Sequence, residues 1–310
     1  MLKSNVYADP ILTDIVVGYK NPAFYAEVLF PTVQVDKRTG YYFVWDQANL
    51  RSEDDLRTGR AQSKVVDDEA VKTAYGPLKE HSLKTFIEQD LIDHSDINNL
   101  ETARAERLRH RMLVNKEVAL ATTLSDTGVI TQSATLSGND QFSDYTNSDP
   151  YGELEEQIEE VRTGSMQKAN TIAMGIAVWK KLKYHPDTIE LLKAQGGGRF
   201  TPELLADWLE VDRVVILDNQ KVTSAEGQTN TRGDIWGKHV WVMYINPNPS
   251  PTTEEASAGY HLQLTDGVVA LPPFRDPDEP DIGEWLKVKD YYEQKVIAVG
   301  AVSLRKNAVA

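Results

Sequence analysis

One uninterrupted stretch, Asn98 to Ser125, limits what this chain can fold into more than any other. It reads NNLETARAERLRHRMLVNKEVALATTLS, without proline or glycine and rich in strong helix formers. Asn98 and Glu101 have the spacing of a capping box, which satisfies orphan N–H groups in a first helical turn. Gly128, just past the far end, is placed for a left-handed C-cap. Ile97, Leu100, Ala105, Leu108, Met112 and Ala119 form one apolar stripe, interrupted by Arg104 and Asn115. Further on, Leu113, Val114, Val118, Leu120, Ala121 and Leu124 spread around the cylinder, so more than one side needs cover. A helix of about 27 residues is roughly 40 Å long, well beyond the average globular helix. The pattern predicts a spine with other elements laid across it. Taken alone, it also fits a bundle helix of an ordinary enzyme.

The 310 residues are 41% apolar and 26% charged, which suits a soluble globular protein of one or two domains. Lys and Arg total 33 against 47 Asp and Glu, a formal charge of −14. Such a surface repels phosphate backbones and argues against sequence-specific or high-affinity nucleic-acid binding. Cysteine is absent, which excludes disulfides, thiolate metal sites and cysteine nucleophiles. No apolar run approaches the length of a membrane span, and MLKSNVYADP lacks the apolar core of a signal peptide. Cytoplasmic synthesis without secretion is the expectation.

In chain order, Asp9-Pro10 supplies an N-cap and first position for a short helix with Ile11, Leu12, Ile15 and Val16 on one side. Asn21-Pro22 restarts the chain, and Phe30 to Val35 alternates as a strand. Tyr41 to Trp45 and Ala70 to Tyr75 are two strands separated by a charged tip, NLRSEDDLRTGRAQSK. This predicts a β-hairpin projecting from the body, since loops of that length without a core are usually functional or disordered. Its mixed charges suit complementary contact with another subunit. Residues 78–92 lead into the long helix, and 127–149 form a polar loop with a small hairpin at 128–135. Asp149-Pro150 caps a helix with Leu154, Ile158 and Val161 inward and Glu153, Glu155, Glu156, Glu159 and Glu160 on a solvated face.

From Asn170 the pattern becomes α/β. TIAMG is a strand, residues 177–182 are helical, and HPDTIELLK starts a helix burying Ile189, Leu191 and Leu192. Gly196–Gly198 form a flexible tip, and Thr201-Pro202 caps a helix with Leu204, Leu205, Trp208 and Leu209 on one face. Arg213 to Leu217 and Lys238 to Ile245 read as strands, the first of them buried. NPNPSPTTEEAS reads as a linker, and 285–288 and 296–304 as two late strands returning to the long helix.

Catalytic patterns are missing. Gly196–Gly198 followed by Arg199 lacks the lysine and spacing of a phosphate loop, and the chain contains no GxSxG. His81, His94, His110, His185, His239 and His261 are scattered without metal-ligand spacing, and Asp276 to Asp281 lacks the geometry of a calcium loop. The weight moves from enzyme to structural or interaction protein.

The order of pieces from Asn170 onward resembles the axial domain of tailed-bacteriophage major capsid proteins of the Hong Kong 97-type fold family, which includes encapsulin shells. The residues that carry the resemblance are Trp179 in a helix after a strand, His185-Pro186-Asp187, Val211 to Val214, and Trp236-Gly237 before a late strand. Upstream, FPTVQVDKRTGYYFVW resembles the family's arm running into its extended loop, and 98–125 falls where the spine helix belongs.

The resemblance implies an α+β, Hong Kong 97-type capsid fold: N-terminal arm 1–35, extended β-hairpin loop 36–80, peripheral domain 81–168 with 265–310, and axial domain 169–264. It implies pentamers and hexamers of an icosahedral shell around double-stranded DNA, with no catalysis, cofactor or metal. Expected intersubunit contacts are Leu50, Arg51, Glu53, Asp54, Asp55, Arg57 and Arg60 in the hairpin, and Gly196, Gly197, Gly198 and Arg199 in the axial tip. Lys64 and Lys72 are candidate donors for the covalent Lys–Asn cross-links of some relatives. The start at Met1 without a preceding charged helical region implies a separate scaffolding protein. Portal and decoration proteins are further expected partners, with packaged DNA touched non-specifically and no membrane. Localisation in the virion follows, after assembly in the host cytoplasm. An encapsulin compartment and an α/β enzyme are the alternatives.

Overall fold

The computed structural model describes residues 9–18, 24–43, 52, 56–57, 62–63, 72–94, 100–194, 196–225, 227–250, 255–275 and 282–310. Helices α1 (Pro10–Gly18) and α2 (Ala26–Leu29) and strand β1 (Thr32–Val35) lead into the paired strands β2 (Gly40–Phe43) and β3 (Lys72–Tyr75). Strand β4 (Lys79–Glu88) and helix α3 (Gln89–His94) precede the spine, α4 (Leu100–Leu124). After β5 (Ser133–Thr135) come α5 (Pro150–Ser165), β6 (Thr171–Gly175), α6 (Ile176–Leu182), α7 (Pro186–Ala194), α8 (Pro202–Trp208) and β7 (Arg213–Leu217). A small hairpin, β8 (Gln220–Val222) and β9 (Arg232–Asp234), is followed by β10 (Val240–Met243), β11 (Gly259–Leu264), β12 (Val269–Arg275), β13 (Gly283–Val296) and β14 (Val302–Lys306).

Two five-stranded sheets organise these elements. In the first, the 14-residue β13 is the centre. One of its edges pairs antiparallel with β4, from Gly283 opposite Glu88 to Tyr292 opposite Lys79. Its other edge takes β12 and then β11, and β1 joins β11 in parallel. The second sheet has the order β5-β14-β10-β6-β7. TIAMG and VWVM, its β6 and β10, are buried at every position, as expected of apolar runs covered on both faces.

The spine joins the sheets. Ala105, Leu108 and Met112 pack with Leu286 and Val288 of β13, Ile87 of β4, and Leu12 and Val16 of α1. One helical stretch later, Leu120, Ala121 and Leu124 pack with Trp241 and Leu304 of the second sheet and with Leu29 and Phe30. Each such fully buried large side chain contributes on the order of 1.5–3 kcal/mol. Cover on two sides is therefore real, but Val114 and Val118 are only half-buried and Ala119 is exposed.

Local capping agrees with the sequence at three helices. Asp9 Oδ1 accepts from the N–H groups of Ile11 and Leu12 at 2.9 and 3.1 Å. Asp149 Oδ1 accepts from Gly152 N at 2.9 Å, and Thr201 Oγ1 from Leu204 N at 3.3 Å. The capping box at Asn98 lies outside the described residues.

Several expectations are corrected. Gly128 is not a left-handed cap: Asp126 Oδ1 accepts its N–H at 2.8 Å in a local turn. No hairpin forms at 128–135, because β5 pairs in parallel with β14 instead. Residues 79–88 are a strand rather than a lead-in, and the two late strands become β13, already finished at Val296, and β14, which starts at Val302. Ile189 and Leu191 are 39% and 40% exposed, since α7 lies on the surface, burying Thr188 and packing Leu192 against the core. The strand at Arg213 to Leu217 is an edge strand, buried only at Leu217.

The glutamate face of α5 is not simply solvated. Glu160 holds the buried Arg305 of β14 through both carboxylate oxygens, at 3.0 Å each, and Glu153 accepts from Arg305 Nε at 2.9 Å. Glu156 stands 3.5 Å away. The helix lies so close to residues 299–301 that a Cβ on Gly164 would fall 2.6 Å from the carbonyl of Gly300.

Candidate functional site

The densest polar construction in the described residues is buried, where the N-terminal segment meets the spine. In α4, Arg109, Met112, Lys116 and Leu120 recur at helical spacing, so two cations occupy positions of the core stripe. Lys116 and Glu117 are 2% and 0% exposed. Buried charges persist only when paired or hydrogen-bonded, and each of these is.

Glu117 caps helix α2 from outside the chain's local sequence. Its Oε2 accepts from Ala26 N at 2.8 Å and Tyr25 N at 3.1 Å, while Oε1 accepts from the indole Nε1 of Trp236 at 2.7 Å. Burial raises the Glu117 carboxyl above its ordinary range, against these three donors, which favour the charged form. Lys116 Nζ pairs with Glu27 of α2 at 2.8 Å and lies 5.3 Å from the centre of the Tyr292 ring. Burial opposes ionisation of Glu27, but the Lys116 ammonium outweighs it and the carboxyl falls below its ordinary range.

The carbonyl end of the same segment is also held. His261 Nε2 lies 3.2 Å from Ala26 O, and Arg213 Nη2 donates to Val28 O at 3.1 Å. Tyr25 Oη donates to Asp218 Oδ1 at 2.7 Å. Beneath, Arg109 Nη1 donates to Asp290 Oδ2 at 2.8 Å, and Gln263 Nε2 to Asp290 Oδ1 at 2.9 Å. Burial, with the Lys116 charge adding to it, holds His261 well below its ordinary pKa, so its imidazole is neutral. The arrangement is a clamp rather than a reactive centre, since each titratable group is committed to holding backbone or a counter-charge.

No such clamp was foreseen from the sequence, because Lys116-Glu117 looks like a surface pair on any helix. The one available signal was position, in that Arg109 and Lys116 fall on the apolar spacing.

Of the expected contact residues, Arg57 is described and exposed, while Leu50, Arg51, Glu53, Asp54, Asp55 and Arg60 lie outside the described residues. So does Lys64. Gly196, Gly197, Gly198 and Arg199 form an exposed tip after α7. Gly197 N donates to Leu192 O at 2.8 Å, and the positive φ values of 90°, 86° and 143° at the three glycines explain the run as a helix cap. His185 is a buried turn residue, with Nε2 3.2 Å from Ser148 Oγ. No group of three or more His, Cys, Asp or Glu among the described residues could hold a metal ion.

No family model matches the chain. Among known proteins it is similar to the major capsid protein of Burkholderia phage BcepMu, 27% identical over 260 residues, covering 82% of this chain and 83% of the relative. A second is the major capsid protein of Pseudomonas phage JBD67, 23% identical over 241 residues and covering 76% of each chain. Among solved structures, a phage-related protein of Bordetella bronchiseptica superposes with a TM-score of 0.77 at 23% identity, covering 97% of this chain and 98% of that one. The cyanophage P-SCSP1u capsid gives 0.55 at 10% identity, covering 89% and 84%. The SrpI encapsulin complex of Synechococcus elongatus gives 0.53 at 11% identity, covering 93% and 88%. The chain has the Hong Kong 97-type fold and resembles the major capsid proteins of tailed bacteriophages and the encapsulin shells that share it.

Proposed function

We propose that this chain is the major capsid protein of a tailed bacteriophage, assembling into pentamers and hexamers of an icosahedral shell that encloses double-stranded DNA. The observation that carries the reading is the likeness to the BcepMu major capsid protein across 82% of the chain. The likenesses support a capsid or shell role in general and a structural protein rather than an enzyme. Both sequence relatives are phage capsid proteins, which favours the virion over an encapsulin compartment.

In this reading the arm is 1–35, the extended loop 36–80, the peripheral domain 81–168 with 265–310, and the axial domain 169–264. Strand β14 lies in the α/β sheet beside β10. The hairpin tip around Arg57 and the axial tip Gly196–Arg199 make the intersubunit contacts. A separate scaffolding protein, a portal and a decoration protein are the partners, and the virion is the destination. Among the described residues no helix is long and apolar enough to cross a membrane.

Sedimentation of the purified chain, alone and with co-expressed virion proteins, tests the proposal. Particles of shell size support it; a monomer or dimer under every salt condition overturns it.

A further inference from the structure

We propose that the open face of α4 is a docking trough for an acidic, amphipathic peptide segment of a partner protein. The biological setting rests on the shell-subunit reading; the surface is a property of this chain alone. Three adjoining clefts run along the helix from Arg104 to Asp126, a length of roughly 33 Å at the α-helical rise. The largest, about 720 Å³, lies between α4, the strand β4 and the β8–β9 hairpin.

Its floor is apolar. Val114 and Val118 stay half-exposed, and Val222 on the hairpin is 56% exposed. Toward the start of the helix the walls become cationic. Arg104, Arg107 and Arg111 share one helix face, with Lys84 from β4 and Lys221 from the hairpin beside them. Among the described residues none of these five is paired with a carboxylate; Lys84 instead lies 4.1 Å from the centre of the Trp285 ring. Among the described residues no carboxylate lines either cationic cleft, in a chain that carries 47 Asp and Glu. A surface so short of acidic groups, on so acidic a protein, is complementary to an acidic partner.

The apolar floor decides between partners. A nucleic-acid duplex would meet the cations and leave the valines wet. An amphipathic peptide uses both halves, with carboxylates beside Arg104, Arg107 and Arg111 and apolar side chains over Val114, Val118 and Val222.

The test is fluorescence anisotropy of a labelled synthetic helix as long as the trough, glutamate-rich in one half and leucine-striped in the other, titrated with the full chain. Comparators are the same helix with lysine for glutamate, the same helix with serine for leucine, and a short DNA duplex. Two variants are used: the combined Arg104→Glu, Arg107→Glu, Arg111→Glu, and Val222→Asp, whose exposed site leaves folding intact. The acidic amphipathic helix should bind, and either variant should weaken it at least about tenfold; both comparator peptides should bind weakly. Undiminished binding in Val222→Asp, or equal binding of the lysine peptide, overturns the proposal. So does a loss confined to the DNA duplex, which would assign the face to nucleic acid, or a loss confined to self-association, which would assign it to a second copy. Electron microscopy of the same wild-type protein keeps the two readings apart. Missing shells would count against the capsid function and leave the titration intact, whereas shells without peptide binding would remove only the trough.

Discussion

The indole Nε1 of Trp236 donates to Glu117 Oε1 at 2.7 Å, joining two fully buried side chains that are 119 positions apart. The same carboxylate accepts from Tyr25 and Ala26. One residue of the long helix thereby fastens the N-terminal segment on one side and the approach to β10 on the other.

Glu117→Gln puts an amide N–H₂ where three donors converge, so at least one buried donor loses its acceptor. The expected cost is about 1–3 kcal/mol, read from urea unfolding. Trp236→Ala costs more through the cavity it leaves, about 3–5 kcal/mol. Unchanged midpoints in both variants would show that the seam does not hold the N-terminal segment.

Arg305 is 3% exposed and answers three glutamates of α5. Arg305→Met leaves those charges facing one another across a half-buried site, with an expected loss of about 3 kcal/mol. Burial works against ionisation of Glu160, but its hydrogen bonds from Arg305 and Ser303 prevail and hold its carboxyl below the ordinary value of 4.5. Stability from this group is therefore present above pH 4.5 and is lost as pH falls through the lowered pKa. Acid titration of the wild type and of Glu160→Gln by circular dichroism should show a shallower acid limb in the variant. Identical limbs would contradict it.

What the sequence made legible follows from where each signal lies. FPTVQV, TIAMG and the capped starts at Asp9, Asp149 and Thr201 report local preferences, and the structure honours them. The long strands β4 and β13 were missed or cut short because Lys79 to Glu88 and Gly283 to Val296 alternate with charged residues, and long-range pairing supplies their stability. The burial of Arg109, Lys116 and Arg305 was equally hidden, since their partners Asp290, Glu27 and Glu160 come from other elements. The hairpin's strand pairing was readable from its two aromatic-flanked runs; its charged tip falls mostly outside the described residues.

His261 is buried and neutral, with its pKa depressed by burial and by Lys116. The unfolded chain takes up a proton near pH 6.5 that the folded chain refuses, so stability falls as pH drops below that value, by up to about 1.4 kcal/mol per pH unit. His261→Gln should flatten the decline between pH 6.5 and 5, measured by urea midpoints. His81 and His239, also lowered by burial, leave a residual slope. A decline as steep as in the wild type would assign the pH response to other groups.

The hairpin tip is expected to be ordered mainly by neighbouring subunits, because fixing each residue costs about 1–2 kcal/mol and the tip has few apolar residues to offset it. Trypsin should cut near Arg51, Arg57 and Arg60 rapidly in unassembled protein and slowly in particles. Equal rates in both states would remove the hairpin from the list of intersubunit contacts.

That this chain builds a shell is tested most directly by electron microscopy of the protein purified alone and after co-expression with virion proteins of the phages it resembles. Closed icosahedral particles, empty or DNA-filled, with pentamers and hexamers visible on their surface, are the expected result. Fields containing only small oligomers, under conditions where the chain is folded and soluble, would contradict it.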